Sequence, residues 1–475
     1  MTGRAGWSAG ETATALLVLL AAVLVLYWRV LSKPYVYDDW IFLHRIWKEG
    51  WGDTLQWAWD PAGGLHYRPL SRSYFIVMFA MFGVSSFPAH LFALSLHLLN
   101  GFLVVLTAGG LGAGKRGALF AGVLFVSLAT VHLDPLLWLV GMYDIGVVTF
   151  TLLAVLFFLH NRPAYSLTAV VLALLTKEAA VFLPFLLAGW SVLARKPRSW
   201  VLGYSAIVVC YALVKIAGIS PLGLPASSPY ALVLAPSQFL SSMWLYLTWL
   251  AGSLVPPLES RVPGFLTVLF FAVVLLHWGL SRRTIAGPVP VPIIGVLFCW
   301  VVLALVPVLF FVNQSARYYG VHAVIPLVLL VAIICSESVT ALRRTGRHVV
   351  FVLIALMVFS ANWFFVEDVF SRGIHEQIIN DGRFHLVKRT AAVDSVYENL
   401  FRRYPAVPRN ATITISGIPL DAIGGGMAVQ LWYRDSTLAV RSGVESAVAA
   451  GGEEQMANQR VLVHVTADSL SAADR

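Results

Sequence analysis

The chain has 475 residues, of which 59% are hydrophobic and only 12% are charged. Soluble globular proteins carry roughly 25% charged residues, so this composition excludes a soluble enzyme and predicts an integral membrane protein. The net charge of +9 does not indicate nucleic-acid binding, because the basic residues lie in short connections between apolar segments.

Apolar segments recur along the first 366 residues, and a helix needs about 20 such residues to cross a bilayer. We predict eleven transmembrane helices, at 12–31, 86–109, 117–133, 144–161, 165–177, 179–194, 200–218, 264–281, 291–312, 320–336 and 348–366. A further apolar stretch, 230–255, is flanked by prolines. If it crossed, every later basic loop would change sides, so we expect it to lie along the outer face, or to dip into that face, without crossing.

Connections rich in Lys and Arg face the cytoplasm in membrane proteins. With the amino terminus inside, the connections containing Lys115, Arg162, Lys196, Arg282 and Arg343 all fall on the cytoplasmic side. The first loop (32–85) and the loops at 132–143, 177–178, 255–263 and 313–319 then lie outside. We therefore predict a multi-pass cell-membrane protein with an extracytoplasmic site and carboxyl terminus.

The composition changes near residue 367, which divides a transmembrane domain (1–366) from a small extracytoplasmic α/β domain (367–475). A polar, helix-like stretch at 371–404 precedes three runs with β-strand character, at 411–415, 427–433 and 460–465. A polar tail follows from about residue 466. The glycines at 424–426 follow no clear strand and precede no convincing helix, so a loop is favoured over a phosphate-binding cradle. The predicted fold class is thus an all-α polytopic membrane protein with a small C-terminal α/β domain.

Two adjacent carboxylates, Asp38 and Asp39, directly follow the first predicted helix. Ionisable residues this close to lipid indicate a functional site, and the flanking Tyr37 and Trp40 are residues that settle at the membrane interface. A general base must be held within hydrogen-bond reach of the hydroxyl that it deprotonates, which such anchoring provides. The alternative is a solvated turn without a catalytic role.

Further polar residues in the outer loops are candidates for substrate binding. Tyr67 and Arg68 lie in the first loop, and Arg68 suits either a carboxylate or a phosphate. Asp134 and Asp144 come from the next outer loop, and Asp38, Asp39 and Asp134 together could hold a divalent cation, although their spacing matches no closed metal motif. His97 lies on an apolar helix, where packing and binding roles are both open.

Two later segments place cations on the same predicted face. Lys177 and Glu178 interrupt the helical hairpin at 165–194, where they either support each other or present Lys177 to an anionic substrate. Arg317 and Tyr318 cap a later helix, where the arginine either binds a phosphate bidentately or extends to lipid headgroups. Topology thus brings the acid pair, Lys177 and Arg317 together from distant parts of the chain.

These residues resemble the motifs of the GT-C glycosyltransferases, multispan enzymes that use polyprenyl-phosphate-linked sugars. The likeness is greatest to protein O-mannosyltransferases and to the tetratricopeptide-containing transmembrane O-mannosyltransferases. The matching segments, in the family's order, are Tyr37-Asp38-Asp39, Tyr67-Arg68-Pro69-Leu70, His90 to Asn100 with His97, His132-x-Asp134, Trp138-x-x-Gly141-x-x-Asp144, Lys177-Glu178 and Arg317-Tyr318.

The resemblance implies that Asp38 is the catalytic base and that Arg317 faces the lipid phosphate. It also has departures: Met142 stands where an arginine is usual, Ala316 stands where a glutamate is expected, and tetratricopeptide repeats are absent. These departures weaken the case for mannose or for a protein acceptor.

The expected function is inverting transfer of a sugar from a polyprenyl-phosphate donor to a hydroxyl of a protein, glycan or lipid acceptor. Membrane lipids are further expected partners, nucleic acid is not, and no cofactor beyond a possible divalent cation is indicated. The alternatives are a transporter or flippase of lipid-linked sugars and a non-enzymatic partner in glycan assembly. A transport path predicts charges through the depth of the bilayer, whereas the predicted spans are nearly free of them, Lys215 being the main exception.

Overall fold

The computed structural model describes residues 7–63, 66–218, 228, 231–254, 291–338, 344–371, 390, 393–416, 420–442 and 462–467. Within these ranges most residues are helical. The α-helices are α1 Ala9–Tyr27, α2 Asp38–Glu49, α3 Trp51–Trp59, α4 Pro69–Phe82, α5 Phe87–Gly110, α6 Gly114–Ser127, α7 Ala129–Leu137, α8 Met142–Leu159, α9 Pro163–Thr176, α10 Phe182–Leu193, α11 Arg198–Gly218, α12 Pro236–Gly252, α13 Val291–Leu305, α14 Val321–Ser338, α15 Arg344–Ser371 and α16 Met427–Tyr433.

Several of these helices have the length and apolar composition of membrane spans. In the described residues six qualify, namely Ala9–Ser32, Phe87–Gly110, Leu139–Leu159, Arg198–Ile216, Arg317–Ser336 and Val349–Phe370, or seven if the bent pair α6 and α7 counts as one. Shorter apolar helices lie between them. The predicted class of a helical, polytopic membrane protein is confirmed. The predicted span at 264–281 lies outside the described residues, so the total of eleven stays a prediction.

The segment predicted as a single span at 117–133 is broken. Helices α6 and α7 meet at an angle of 56°, and Leu128 between them is non-helical, with φ −77° and ψ 71°. A break inside a membrane needs new partners for the freed backbone groups. The buried Asn362 of α15 supplies one, since its Oδ1 accepts the N–H of Ala129 (2.9 Å).

Side-chain contacts separate the two ends of the bundle. At one end Lys115 pairs with Glu11 (2.7 Å) and lines a cleft together with Arg162. At the opposite end α1 is followed by Lys33, whose carbonyl is 3.0 Å from Nε2 of His90 near the start of α5. The connections that contain Lys115 and Arg162 therefore lie at the end opposite the acid pair, as the predicted topology requires. Which end faces the cytoplasm remains a prediction.

Of the apolar stretch at 230–255, the structure describes residues 231–254, which contain α12. Its first part contacts the segment before Arg317, where the Val233 N–H donates to the Phe310 carbonyl (3.0 Å). After its last turn, the carbonyl of Ser253 accepts from Asn362 (3.1 Å). That this stretch does not cross the bilayer stays a prediction.

A small sheet follows the last membrane helix. Its strands are β1 Ala411–Ser416, β2 Ala439–Ser442 and β3 Leu462–Ala467, in the order β2-β1-β3. Strand β1 runs parallel to β2, with Ile413 opposite Val440, and antiparallel to β3, with Ile413 opposite Val465. The predicted α/β character of this domain is confirmed.

The prediction of a strand at 427–433 is wrong, because Met427–Tyr433 forms helix α16 and the second strand is β2. Parallel neighbours such as β1 and β2 need a crossover connection, usually a helix, and α16 supplies it. The composition of a short apolar run fits both a helix and a strand, so only the pairing of β1 with β2 shows that 427–433 is a helix. The glycines at 424–426 therefore do precede a helix, but that helix has only seven residues.

The first outer loop and the C-terminal domain share one hydrophobic core. Trp40 and Leu43 of α2 are buried in the same cluster as Ile423, Val429 and Leu431 of the domain. The membrane helices form a separate, larger core. The domain therefore packs directly on the segment that carries the acid pair.

Candidate functional site

A tight turn precedes the acid pair. Tyr37 has φ 54° and ψ −118°, a combination that residues other than glycine rarely adopt. Its N–H donates to the carbonyl of Ala422 in the C-terminal domain (2.9 Å), and its own carbonyl accepts the N–H of Trp40 (3.2 Å). Helix α2 begins directly afterwards, at Asp38.

Asp39 is fully buried and its carboxylate is held by backbone donors. One oxygen accepts the N–H groups of Val36 (3.1 Å) and Leu139 (3.2 Å), and the other accepts that of Val140 (2.9 Å). Burial raises the pKa of Asp39 to about 8, against the lowering effect of these donors. Asp39 therefore connects the first outer loop to the turn before α8.

Asp38 differs from its neighbour in exposure. It is only partly buried and lies at the first position of α2, where the helix dipole favours a carboxylate. Of the two acids predicted as catalytic, only Asp38 is thus partly open to solvent.

An aromatic contact series joins this turn to the Arg317 segment. The Trp138 ring lies 6.2 Å from that of Tyr37 and 6.0 Å from that of Tyr318, measured between centroids. The buried Nε1 of Trp138 has no hydrogen-bond partner in the described part of the chain. The motifs around residues 37, 138 and 318 are therefore in direct contact.

Lys177 forms a buried ion pair with Asp144. Its Nζ lies 2.6 Å from Oδ1 of Asp144, and both side chains are almost fully buried. The same ammonium lies 5.6 Å from the ring centroids of Tyr318 and Tyr319, within the range of cation–π attraction. Lys177 thus links the end of α9 to the start of α8 and to the Tyr318 turn.

Glu178, the next residue, has different partners. Its carboxylate accepts hydrogen bonds from Nε (2.6 Å) and from Nη2 of Arg68. Nδ1 of His66 lies 2.9 Å from the same carboxylate. Burial lowers the pKa of His66. Lys177 and Glu178 therefore do not pair with each other, and Arg68 engages a protein carboxylate. Tyr67, between His66 and Arg68, is half-buried.

Arg317 is buried at the start of the turn Arg317–Gly320. Its guanidinium carbon lies 5.0 Å from the Trp249 ring of α12. This turn packs on α7, which carries the buried Asp134. The Oδ1 atom of Asp134 has no hydrogen-bond partner among the residues that the structure describes.

Two candidate assignments find little geometric support. His97 is buried among Tyr27, Phe125 and His132, with ring centroids 5.4, 5.7 and 4.6 Å away, which is a packing environment inside the bundle. No group of three His, Cys, Asp or Glu residues suited to a metal ion occurs in the described ranges. Asp38, Asp39 and Asp134 therefore do not form such a group, and both oxygens of Asp39 accept backbone N–H groups.

Sequence reasoning missed Arg72. This buried residue donates to the carbonyls of Trp57 (3.1 Å) and His66, and its guanidinium lies 4.1 Å from the Trp57 ring centroid. It thereby fixes the loop that carries His66 and Arg68. Its position four residues after Arg68, at the start of the same helix, was the available signal.

Comparisons with known proteins give few relatives. No protein-family model matches the chain, and no curated protein sequence matches it. Among solved structures, the chain is similar to the crystal structure of ArnT from Cupriavidus metallidurans bound to undecaprenyl phosphate. The two chains are 14% identical, with a TM-score of 0.46, and the match covers 89% of this chain and 85% of that one.

Proposed function

We propose that this protein is a membrane glycosyltransferase that moves a sugar from a polyprenyl-phosphate carrier to an acceptor hydroxyl, on the extracytoplasmic face. One observation carries the proposal: the separate motifs that resemble GT-C enzymes meet at one end of the bundle. Trp138 contacts both Tyr37 and Tyr318, and Lys177 contacts both Asp144 and Tyr318. A chance set of polar residues has no reason to converge in this way.

Asp38 is the proposed general base. The acceptor oxygen attacks the anomeric carbon while Asp38 takes its proton, and the bond from that carbon to the phosphate oxygen breaks with its electron pair leaving on the phosphate. One displacement inverts the configuration. Asp39 is a poor candidate for the same role because three backbone N–H groups occupy its carboxylate.

Arg317 is the first candidate for stabilising the phosphate, and Lys177 is the second. The phosphate is a weakly basic leaving group, so it needs a cation against developing charge and no general acid. Preorganised electrostatic stabilisation of this kind contributes roughly 3–4 kcal/mol per donor. Lys177 ranks second because Asp144, 2.6 Å away, offsets much of its charge.

An apolar cavity between the helices that precede and follow the ion-paired residues supports lateral entry of the donor lipid. It has a volume of about 200 Å³ and is lined by α4, α5, α8 and α9, including Ser71, Tyr74, Met142 and Thr176. Thr176 directly precedes Lys177 in the chain. The cavity offers space for part of an isoprenoid chain.

Reconstitution tests the proposal. The purified protein in liposomes is given a panel of synthetic polyprenyl-phosphate sugars, and free polyprenyl phosphate is measured by mass spectrometry. A transferase releases polyprenyl phosphate together with a glycosylated acceptor. A flippase moves the lipid to the other leaflet with its glycosidic bond intact, and that outcome would overturn the proposal.

A further inference from the structure

One loop of the C-terminal domain lies against the turn that precedes Asp38. This loop, Leu420–Gly426, connects β1 to α16. The carbonyl of Ala422 accepts the N–H of Tyr37 at 2.9 Å. Because both partners are backbone groups, this hydrogen bond constrains the backbone of the turn and not only its side chains.

Gly424 makes the closest approach. Its φ is +61°, and a Cβ added there would lie 3.0 Å from Cβ of Trp40 and 3.4 Å from the carbonyl oxygen of Tyr37. The neighbouring Gly425 has nearly the same φ, +65°, but a Cβ there would meet no atom within 4 Å. Both positions need the conformational freedom of glycine, yet only Gly424 also needs its lack of a side chain.

The turn depends on outside support. Tyr37 holds a strained backbone conformation, with φ 54°, and such conformations persist only where the surrounding structure fixes them. The N–H of Tyr37 is the group that the C-terminal loop binds, and Asp38 is the next residue. The loop thus acts where the direction of the chain into Asp38 is set.

A second contact between the C-terminal domain and α2 lies one to two helical turns after Asp38. Nε2 of His44 and Oε1 of Gln430 are 3.0 Å apart, while Nε2 of Gln430 donates to the carbonyl of Leu438 (2.9 Å). Since Oε1 accepts, His44 is the donor. Helix α2 is therefore held by the domain both before its start and near its middle.

From these contacts we infer that Gly424 is a positioning residue for Asp38, so that the C-terminal domain is part of the catalytic unit and not a detachable module. This inference rests on the proposed role of Asp38. It predicts that disturbing the loop changes turnover while leaving donor binding alone, because Arg317 and Lys177 lie on other elements.

The test compares Gly424→Ala with Gly425→Ala in the full-length protein. The two substitutions impose similar backbone strain, and only the first drives a Cβ into the Tyr37–Trp40 turn. We expect Gly424→Ala to lower kcat at least tenfold with an unchanged KM for the lipid donor, and Gly425→Ala to keep the wild-type kcat. Equal kcat values for the two variants, both folded, would overturn the inference.

If Gly424→Ala does not fold, His44→Ala takes its place, since it removes only the side-chain bond to Gln430. We expect lower kcat and faster hydrogen exchange in the peptide that contains Tyr37, and wild-type values for both would overturn the inference. Failure of the two proposals is distinguishable. If the wild-type protein transfers no sugar, the proposed function is wrong. If both glycine variants are active and have equal turnover, only the positioning role of Gly424 is wrong.

Discussion

Asp39 accepts the backbone N–H of Val140 at 2.9 Å, across 101 positions in the sequence. This bond joins the first turn of α2 to the turn before α8. On either side of that second turn, Trp138 contacts Tyr318 and Asp144 pairs with Lys177. The Asp39 carboxylate thereby helps to hold together the segments around residues 38, 140 and 318. Because both of its oxygens accept backbone N–H groups, it is poorly placed to act as a base. Adjacent acids thus have separate roles, with Asp39 fixing the frame and Asp38 placed for reaction.

Asp39→Asn is expected to destabilise the protein. Both oxygens of a carboxyl group can accept hydrogen bonds, whereas the nitrogen of an amide cannot. The NH2 group of the asparagine would therefore leave at least one of the three backbone N–H donors without an acceptor. Leaving a buried donor unsatisfied costs about 1–3 kcal/mol. Thermal unfolding in detergent measures this loss, and Asp38→Asn, at a partly exposed position, should stay close to wild type. Equal unfolding temperatures for the two variants would contradict the division of roles.

The raised pKa of Asp39 predicts a pH dependence of stability. The folded protein holds a proton up to a pKa of about 8, whereas the unfolded chain releases it near 3.8. Because the folded state binds more protons in that interval, this group's contribution to stability is present at low pH and declines as the pH rises from about 4 to 8. The slope is at most about 1.4 kcal/mol per pH unit.

Unfolding temperatures recorded from pH 5 to 9 for wild type and Asp39→Asn check this dependence. The gap between the two curves should narrow as the pH rises, because the variant lacks the titrating group. Parallel curves would show that Asp39 does not titrate in this range.

The Lys177–Asp144 pair allows stability and activity to be separated. Lys177→Met leaves a buried carboxylate without its counter-ion, which costs about 3–5 kcal/mol. The double variant Lys177→Met/Asp144→Leu removes both charges and should regain most of that stability. Transfer activity should stay low in the double variant, because the cation near Tyr318 is still missing. A double variant with full activity would exclude Lys177 from the site.

Arg317 is expected to act on the lipid phosphate. Arg317→Gln should lower kcat/KM for the donor about 10²–10³-fold, and Arg317→Lys should recover only part of this because an ammonium lacks the bidentate fork. The exposed Arg402, paired with Glu398 on the surface, provides a control, since Arg402→Gln should change nothing. Steady-state kinetics with varied donor concentration gives the comparison, and equal effects at both positions would contradict the assignment.

Hydropathy and charge were sufficient for the large elements. Continuous apolar runs predicted the helices Ala9–Tyr27, Phe87–Gly110 and Met142–Leu159 closely, because burial in lipid allows few other structures. The same reasoning placed the acid pair, Lys177 and Arg317 at one end. It could not foresee the break at Leu128, since the side chain that satisfies the freed N–H belongs to Asn362, more than 200 positions away.

Side-chain partners were beyond prediction for a related reason. Lys177 and Glu178 are adjacent, yet the extended backbone at Lys177, with φ −156° and ψ 135°, sends them to Asp144 and Arg68. The helix Met427–Tyr433 was mistaken for a strand because its identity depends on which strands pair around it. In each case the deciding contact is distant in sequence and leaves no local pattern.

Replacement of Asp38 by Asn tests the central claim most directly. Loss of a general base lowers turnover about 10²–10⁴-fold, so the variant should fold normally and bind the donor but release almost no polyprenyl phosphate. Asp53→Asn, at an exposed carboxylate in the same outer loop, should remain fully active. Normal turnover by a folded Asp38→Asn variant would contradict the assignment of Asp38 as the base.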